Sequence, residues 1–542
     1  MRRTIPRAVP AALLMSLSLA ATQTASAQTP ARGGSIVVSY KDDVTTLDPA
    51  IGYDYQNWPI EKMVFDGLLD YAPGGTTLQP RLAAKMPTVS KDGLTYTFTL
   101  RPGVKFHNGR ELVADDVVYT LTRVLDPKTK SPGQSFYTGI KGAQAFVDGK
   151  AKTVSGLKAS GKYGLSITLE APNAAFLNIM AMNFAYVVPK EEVAKAGGDF
   201  GHKPVGSGPF TLSKWVSGQS LEFKRNPAYF YNSLPYLDGV TIKVGLDPSV
   251  AFLSLTRGEV DLLGDGIPPA QFLQVVKDPR YRANILNKTS VNTSYLSLNT
   301  QVKPLSDVRV RQAINMAIDK TKLVRIINGR AQVAKTYLPP LMPGYDAGAK
   351  GYAFDPAGAR KLLAAAGLSK GFDTVLYTNS TDPNPRLAQS IQQDLAAVGI
   401  RASIKSQAQS TVIEAAGTKG AAPMVWSGGM AWTQDYPDPS DFYWPILSCR
   451  SAVSGGWNWP WYCDKALDAR ADKADRMVAP GQQAARLNEY KAIFAALDKQ
   501  AVWVPIYHEV RHVMHSDKLV GTAADLLDPI HFISYERLSV KK

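Results

Sequence analysis

Cysteine is nearly absent from this 542-residue chain, which has only Cys449 and Cys463. Their spacing fits neither a CxxC redox pair nor a paired-cysteine zinc site. Runs of like charge are missing too. The formal net charge is +15, yet no stretch holds five consecutive Lys or Arg residues. Such dispersed charge is a solvated surface, and it argues against a nucleic-acid partner. The common catalytic signatures are also missing: there is no GxSxG elbow, no Walker phosphate loop and no GxGxxG turn. The adjacent pair Asp115-Asp116 suits a helix start better than acid–base work. No internal repeat or low-complexity tract is evident. Beyond the N-terminus no apolar run reaches bilayer length, since the longest, Ala174 to Val188, is interrupted by Asn178 and Asn183.

The N-terminus carries Arg2, Arg3 and Arg7, then an apolar run from Val9 to Ala21 and a small-residue site, Ala25-Ser26-Ala27. This order reads as a cleavable signal peptide over 1–27, whose removal takes three positive charges from the total. No cysteine lies near the cleavage site, so a free periplasmic protein is expected rather than a lipid-anchored one. In an exported chain Cys449 and Cys463 are expected to pair as a structural disulfide, worth about 3 kcal/mol in the chain-entropy model.

What remains is too long for one core, so two or three lobes are expected. Helical and extended patterns alternate, which argues for an α/β fold. Asp247-Pro248 and Asp355-Pro356 read as N-cap and first residue of helices ended by Gly258 and Gly367. Leu362 and Leu363 are placed on the buried side of the second. Another helix is read from Arg386 to Val398, with a strand from Ile400 to Ile404 after it, and Val260 to Leu263 reads as a strand.

The stretch from Ser90 to Val124, SKDGLTYTFTLRPGVKFHNGRELVADDVVYTLTRV, is the most informative. Leu94, Tyr96, Phe98 and Leu100 alternate with polar residues as in a half-buried strand. A second short alternation, Val104 and Phe106, sits between the turn signals Pro102-Gly103 and Asn108-Gly109, so the pattern predicts a hairpin. A helix follows, with Asp115 and Asp116 at its positive end and Val117, Val118, Leu121, Val124 and Leu125 as one apolar stripe. The wording resembles the signature of the family-5 solute-binding proteins of ABC importers, with Asn108 for the usual Asp and Val113 for the usual Thr. The resemblance continues in order through Thr46–Ala50, Val64–Tyr71, Val205–Trp215, Phe223–Phe230, Arg257–Leu263, Leu305–Lys320, Phe354–Gly367 and Trp432–Phe442.

That resemblance implies a type II periplasmic binding protein: two lobes joined by a hinge, with an extra domain on the first lobe. Lobe 1 would be discontinuous (28–65, 205–293 and 511–542), the extra domain 66–204 and lobe 2 294–510. Hinge crossings would fall near Ser294 to Thr300 and near Val504 to Arg511. It implies a non-enzymatic, monomeric receptor without a cofactor. Such a receptor captures a small peptide or similar solute and delivers it to a membrane permease driven by an ATPase. An oligosaccharide, a nickel chelate or another non-peptide solute is the alternative ligand.

By the same resemblance Asp435, in the block Trp432-Thr433-Gln434-Asp435-Tyr436-Pro437, would hold a ligand ammonium. A desolvated cation needs such a carboxylate. Ala431, Trp432 and Thr433 would bind alongside it, and Tyr53 and Tyr55 would line the opposite lip. Asp435 also suits a plain turn before Tyr436-Pro437. The run Ser427–Met430 lacks the Arg that peptide receptors often place there for the ligand carboxylate. Six tryptophans (426, 432, 444, 457, 459 and 461) fall close together and could line pockets, stack on sugars or simply build core. One competing motif remains. His508-Glu509-Val510-Arg511-His512 is a literal HExxH, a zinc-hydrolase site if helical. Its β-branched, aromatic surroundings with Pro505 predict a strand instead.

Overall fold

The computed structural model describes residues 30–54 and 56–541. The expected signal peptide at 1–27 and residue Tyr55 lie outside the described residues.

The alternation Tyr96, Phe98, Leu100 is buried while Thr97 and Thr99 face solvent, as a strand at Thr95–Thr99 requires. Its partners are Thr88–Val89 and Gly164–Thr168, in an all-antiparallel four-stranded sheet completed by Leu157–Ser160. Val104 and Phe106 are buried but form no strand beside it. Gly103 and Gly109 take positive φ, and Phe106 N–H donates to the Arg110 carbonyl (2.8 Å). The segment thus folds back on itself, bridging Lys105 to Glu111, instead of completing the expected hairpin with Thr95–Thr99. The helix Ala114–Leu125 covers this sheet with Val117, Leu121, Val124 and Leu125 buried. Val118 lies only partly in the stripe.

A second sheet runs in the order Leu262–Leu263, Ser35–Ser39, Gly239–Lys243, Ser220–Arg225, Phe210–Val216. Its first three strands are parallel and the rest antiparallel. Asp247 caps the helix Pro248–Thr256 by accepting from the Ser249 and Val250 amides. A third, eight-stranded sheet combines Phe372–Asn379, Ile400–Gln407 and Met424–Trp426 in parallel with antiparallel Asn292–Leu298 and Trp503–Met514. The helix Asn384–Ala396 packs on it through Leu387, Ile391 and Leu395. Helix Pro356–Ala365 is capped by Asp355, whose side chain accepts from Gly358 N–H, and buries Leu363 more fully than Leu362. The architecture is mixed α/β, with sheets of the type II binding-protein kind.

One strand crosses between these bodies. Residues 503–507 of Trp503–Met514 pair with Asn292–Leu298 and 510–514 with Ile285–Thr289. While Val504 and Ile506 pack in the core of the third sheet, Val513 packs in that of the second. This is the hinge strand.

The four-stranded domain is tied to the second sheet by buried charge. Arg81 reaches Asp66 (2.6 Å), Glu536 and Tyr229, while Lys62 and His531 both bond Asp70 at 2.8 Å. Burial opposes ionisation of Asp70, but Lys62, His531 and Arg81 outweigh it and hold the carboxyl well below its ordinary value. Removing one partner of such a cluster costs about 3–5 kcal/mol.

Candidate functional site

Trp432–Thr433 is a two-residue strand added to the edge of Asn292–Leu298, in the register Asn292 to Thr433 and Thr293 to Trp432. Gln434 N–H continues the pairing to the Val291 carbonyl (3.1 Å), after which the chain turns at Asp435. Among the described residues the strand pairs on this edge only. The turn is held from below by Arg486, fully buried on the helix Gln483–Gln500. Its guanidinium binds Asp438 with two bonds of 2.7 Å and Asp475 at 2.9 Å. Nothing in the local sequence marks Arg486, 48 residues along the chain from Asp438.

Asp435 is buried, and Tyr53 donates its hydroxyl to Asp435 Oδ1 at 2.6 Å. Tyr53 lies between the strand Ser35–Ser39 and the helix Asn57–Val64, so this bond joins two separate sheets' bodies. Beneath it, Asp441 Oδ2 accepts from the Asp435 amide (3.1 Å) and the Trp432 indole (3.4 Å). Burial pushes the Asp435 carboxyl up to about 6 against the hydrogen bonds from Tyr53 and Asp441. Burial and the neighbouring Asp435 charge push Asp441 well above its ordinary value. Two adjoining buried carboxyls cannot both ionise cheaply, and of the two Asp441 is held more strongly in its neutral form.

An aromatic chain closes over the pair. Tyr53 packs on Trp58 (5.9 Å) and Phe184 (5.4 Å), Phe184 on Phe136 (6.1 Å), and Phe136 meets Tyr436 edge-on at 6.2 Å. Gln434 Nε2 donates to the Pro529 carbonyl (2.7 Å) and Ala174 N–H to the Asp475 carbonyl (2.8 Å). The structure therefore holds the lobes together. Asp435, Trp432, Thr433 and Tyr53 meet at one place, with Ala431 half-buried beside them. Sequence reasoning missed Phe136 and Phe184, which carry no motif.

Most of the tryptophan cluster is scaffold. Trp426 and Trp459 are core, and the buried Trp461 donates to the Ala416 carbonyl. Trp444 donates to Asp475. Trp457 is 43% exposed and touches Trp432 edge-on (6.2 Å). Cys449 and Cys463 are bonded, with Cα atoms 4.2 Å apart.

The HExxH segment is extended within the hinge strand. Four residues along a strand span about 13 Å, too far for two imidazoles to share one metal. His508 Nδ1 donates to the Asn292 carbonyl (3.0 Å) and His512 Nδ1 to the Val510 carbonyl (2.9 Å). Glu536, a carboxylate that could be a third ligand, is held by Arg81. Among the described residues no group of His, Cys, Asp or Glu could hold a metal ion. The zinc-hydrolase alternative is thereby corrected: strand geometry separates its ligands.

Two lobes meeting over a buried carboxylate, with one strand running between them, define a hinged solute-binding protein. The chain belongs to the family-5 bacterial extracellular solute-binding proteins, whose model matches residues 77–454. That family serves transport rather than catalysis. The chain is 32% identical over 462 residues to di/tripeptide-binding protein 2 of Pseudomonas aeruginosa, covering 82% of this chain and 84% of that protein. It is 29% identical over 490 residues to heme-binding protein A of Haemophilus influenzae, covering 85% and 84%. The structure of the periplasmic binding protein DppA from Helicobacter pylori, in complex with the peptide STSA, superposes with a TM-score of 0.78. It is 28% identical and covers 94% of this chain and 99% of that one. Among the described residues no helix is long and apolar enough to cross a membrane.

Proposed function

We propose that this receptor works in the periplasm, after loss of residues 1–27, and captures a small peptide for an ABC importer. Asp435 anchors the ligand ammonium. The observation that carries this reading is the 2.6 Å bond from Tyr53 to Asp435, which puts a buried carboxylate where the lobes meet. A ligand ammonium satisfies that carboxylate better than a neutral hydroxyl can. The unpaired edge of Trp432–Thr433, with Ala431, offers main-chain groups to an extended ligand as an added strand, tolerant of side-chain identity. Tyr53 lines the opposing lip. The lobes divide at about 28–65, 205–293 and 511–542, at 66–204 and at 294–510. The receptor acts as a monomer and hands its ligand to a permease driven by a separate ATPase.

Calorimetry with di- and tripeptides tests this reading. Asp435→Ala is expected to weaken binding by about 2–5 kcal/mol, the range for stripping one partner from a buried charge pair. N-acetylated peptides should bind the native protein poorly. Equal binding by native and variant proteins would remove the anchor. A non-peptide ligand rests on the exposed Trp457 beside Trp432, and tight binding of neutral oligosaccharides with tryptophan quenching would favour it.

A further inference from the structure

Side chains alternate along the hinge strand, so Glu509 and Arg511 share one face, about 7 Å apart along the strand. Glu509 Oε2 accepts from Asn292 Nδ2 (3.1 Å), and Asn292 pairs in register with Thr433. This face therefore runs from beneath the Trp432–Asp435 block toward the loop at Gly264. At that end the Arg511 guanidinium sits 5.4 Å from the Phe532 ring and donates Nη2 to the Gly264 carbonyl (2.8 Å). Phe532 is bridged to Asp528, and the next carbonyl, Pro529, receives Gln434. Arg511, through Phe532, and Asp435, through Gln434, thus both adjoin the segment that carries this closure contact.

Arg511 is half-buried, and its guanidinium is only partly engaged. Its Nη1 is shielded from solvent and has no hydrogen-bond partner among the described residues, and no described carboxylate pairs with it. The nearby Asp265 carboxylate is instead taken by the Lys41 amide (2.7 Å) and by Gln56 Nε2 (3.5 Å). An unpaired guanidinium with a shielded donor is costly, and it presents a planar fork suited to a carboxylate. Arg486 and Arg81, by contrast, each hold two carboxylates.

We propose that Arg511 is a ligand-binding residue that receives the carboxylate of a zwitterionic ligand whose ammonium lies on Asp435. This rests on the peptide reading and makes it sharper: the ligand class is a short peptide with a free C-terminus. The charge that Ser427–Met430 does not offer comes from the hinge strand instead. A carboxylate on the strand that bends between lobes also couples occupancy to closure.

The test uses the full mature protein and three probes: alanyl-alanine, its C-terminal amide, and its N-acetyl derivative. The native protein is expected to prefer the free acid over the amide. Arg511→Ala should lose affinity for the acid by about 30-fold or more, while its weaker affinity for the amide stays unchanged. Arg511→Lys should restore part of the loss. The penalty for N-acetylation should be equal in native and variant proteins, because it reports Asp435. Arg511→Gln, which keeps a donor for the Gly264 carbonyl without the charge, should behave like the Ala variant and serves if that variant does not fold. Discrimination between acid and amide that survives in Arg511→Ala or Arg511→Gln overturns the proposal, as does its absence in the native protein. If the native protein binds none of the three probes, the peptide reading fails separately. Arg511 is then decided by thermal shift with N-acetylalanine and succinate. Stabilisation of native but not variant protein upholds the guanidinium site, and equal responses reject it.

Discussion

Tyr53, Asp435 and Asp441 form one unit of proton chemistry. The Asp435 carboxyl titrates at about 6 in the closed form, above its ordinary 3.8, because closure buries it. A raised acid favours the state that raises it while protonated, so its contribution to closure is complete below about 4 and is lost as pH rises through 6. Binding of an ammonium follows the opposite course, since the ligand needs the carboxylate. Peptide affinity is therefore expected to rise from pH 4 to pH 7, with protons released on binding below about 6. The groups facing Asp435 are the Tyr53 hydroxyl, which burial pushes up, and Asp441, whose carboxyl burial and the Asp435 charge push well above its ordinary value. Titration calorimetry in buffers of different ionisation enthalpy measures the released protons. Asp435→Asn should flatten the profile, and a slope that persists in that variant would assign it to another group. The sequence made Asp435 and Tyr53 legible because each sits beside a recognisable block. It left Arg486, Asp441 and Phe136 illegible, because their roles exist only once distant segments pack.

At the scale of elements, patterns with local causes were readable. Asp355-Pro356 starts a helix because the carboxylate accepts from an N-terminal amide and proline already has helical φ. Val104 and Phe106 show where such reading stops: alternation places both side chains inward, but two glycines close a turn that uses the segment's own hydrogen bonds. The hinge strand shows the converse. A motif that names a metal site on a helix names nothing on a strand, since period two separates what period 3.6 brings together. His508 instead bonds the Asn292 carbonyl with one nitrogen, while its other nitrogen, Nε2, is buried. Burial holds its pKa down at about 4, so the ring stays neutral. The purified protein is expected to contain far less than one zinc per chain, and His512→Ala should leave peptide binding intact. Stoichiometric zinc by elemental analysis, lost in His512→Ala, would contradict the strand assignment.

For the whole molecule, the balance between open and closed lobes sets affinity, because a ligand shifts that balance only by binding one form better. The contacts across the lobes include Tyr53 on Asp435, Gln434 on the Pro529 carbonyl, Ala174 on the Asp475 carbonyl and the Phe136–Tyr436 edge contact. The first is the one a ligand ammonium would displace, so the Tyr53 hydroxyl acts as a stand-in that satisfies the carboxylate when the lobes close empty. Tyr53→Phe keeps the ring packing on Trp58 and Phe184 but leaves Asp435 short of a donor on closure. A hydrogen bond to a charged group is worth about 1.5–3 kcal/mol, so empty closure should become about 10- to 100-fold less favourable. Small-angle scattering or a distance label across the lobes should then report a more open empty protein, with the closed form regained on adding peptide. Asp435→Asn should oppose this effect, because a neutral amide costs less to bury, and the double variant should close more readily than Tyr53→Phe alone. An unchanged closed fraction in Tyr53→Phe would mean that the Gln434 and Phe136 contacts hold the empty lobes together without the charge pair, and that Tyr53 is part of the wall rather than the latch.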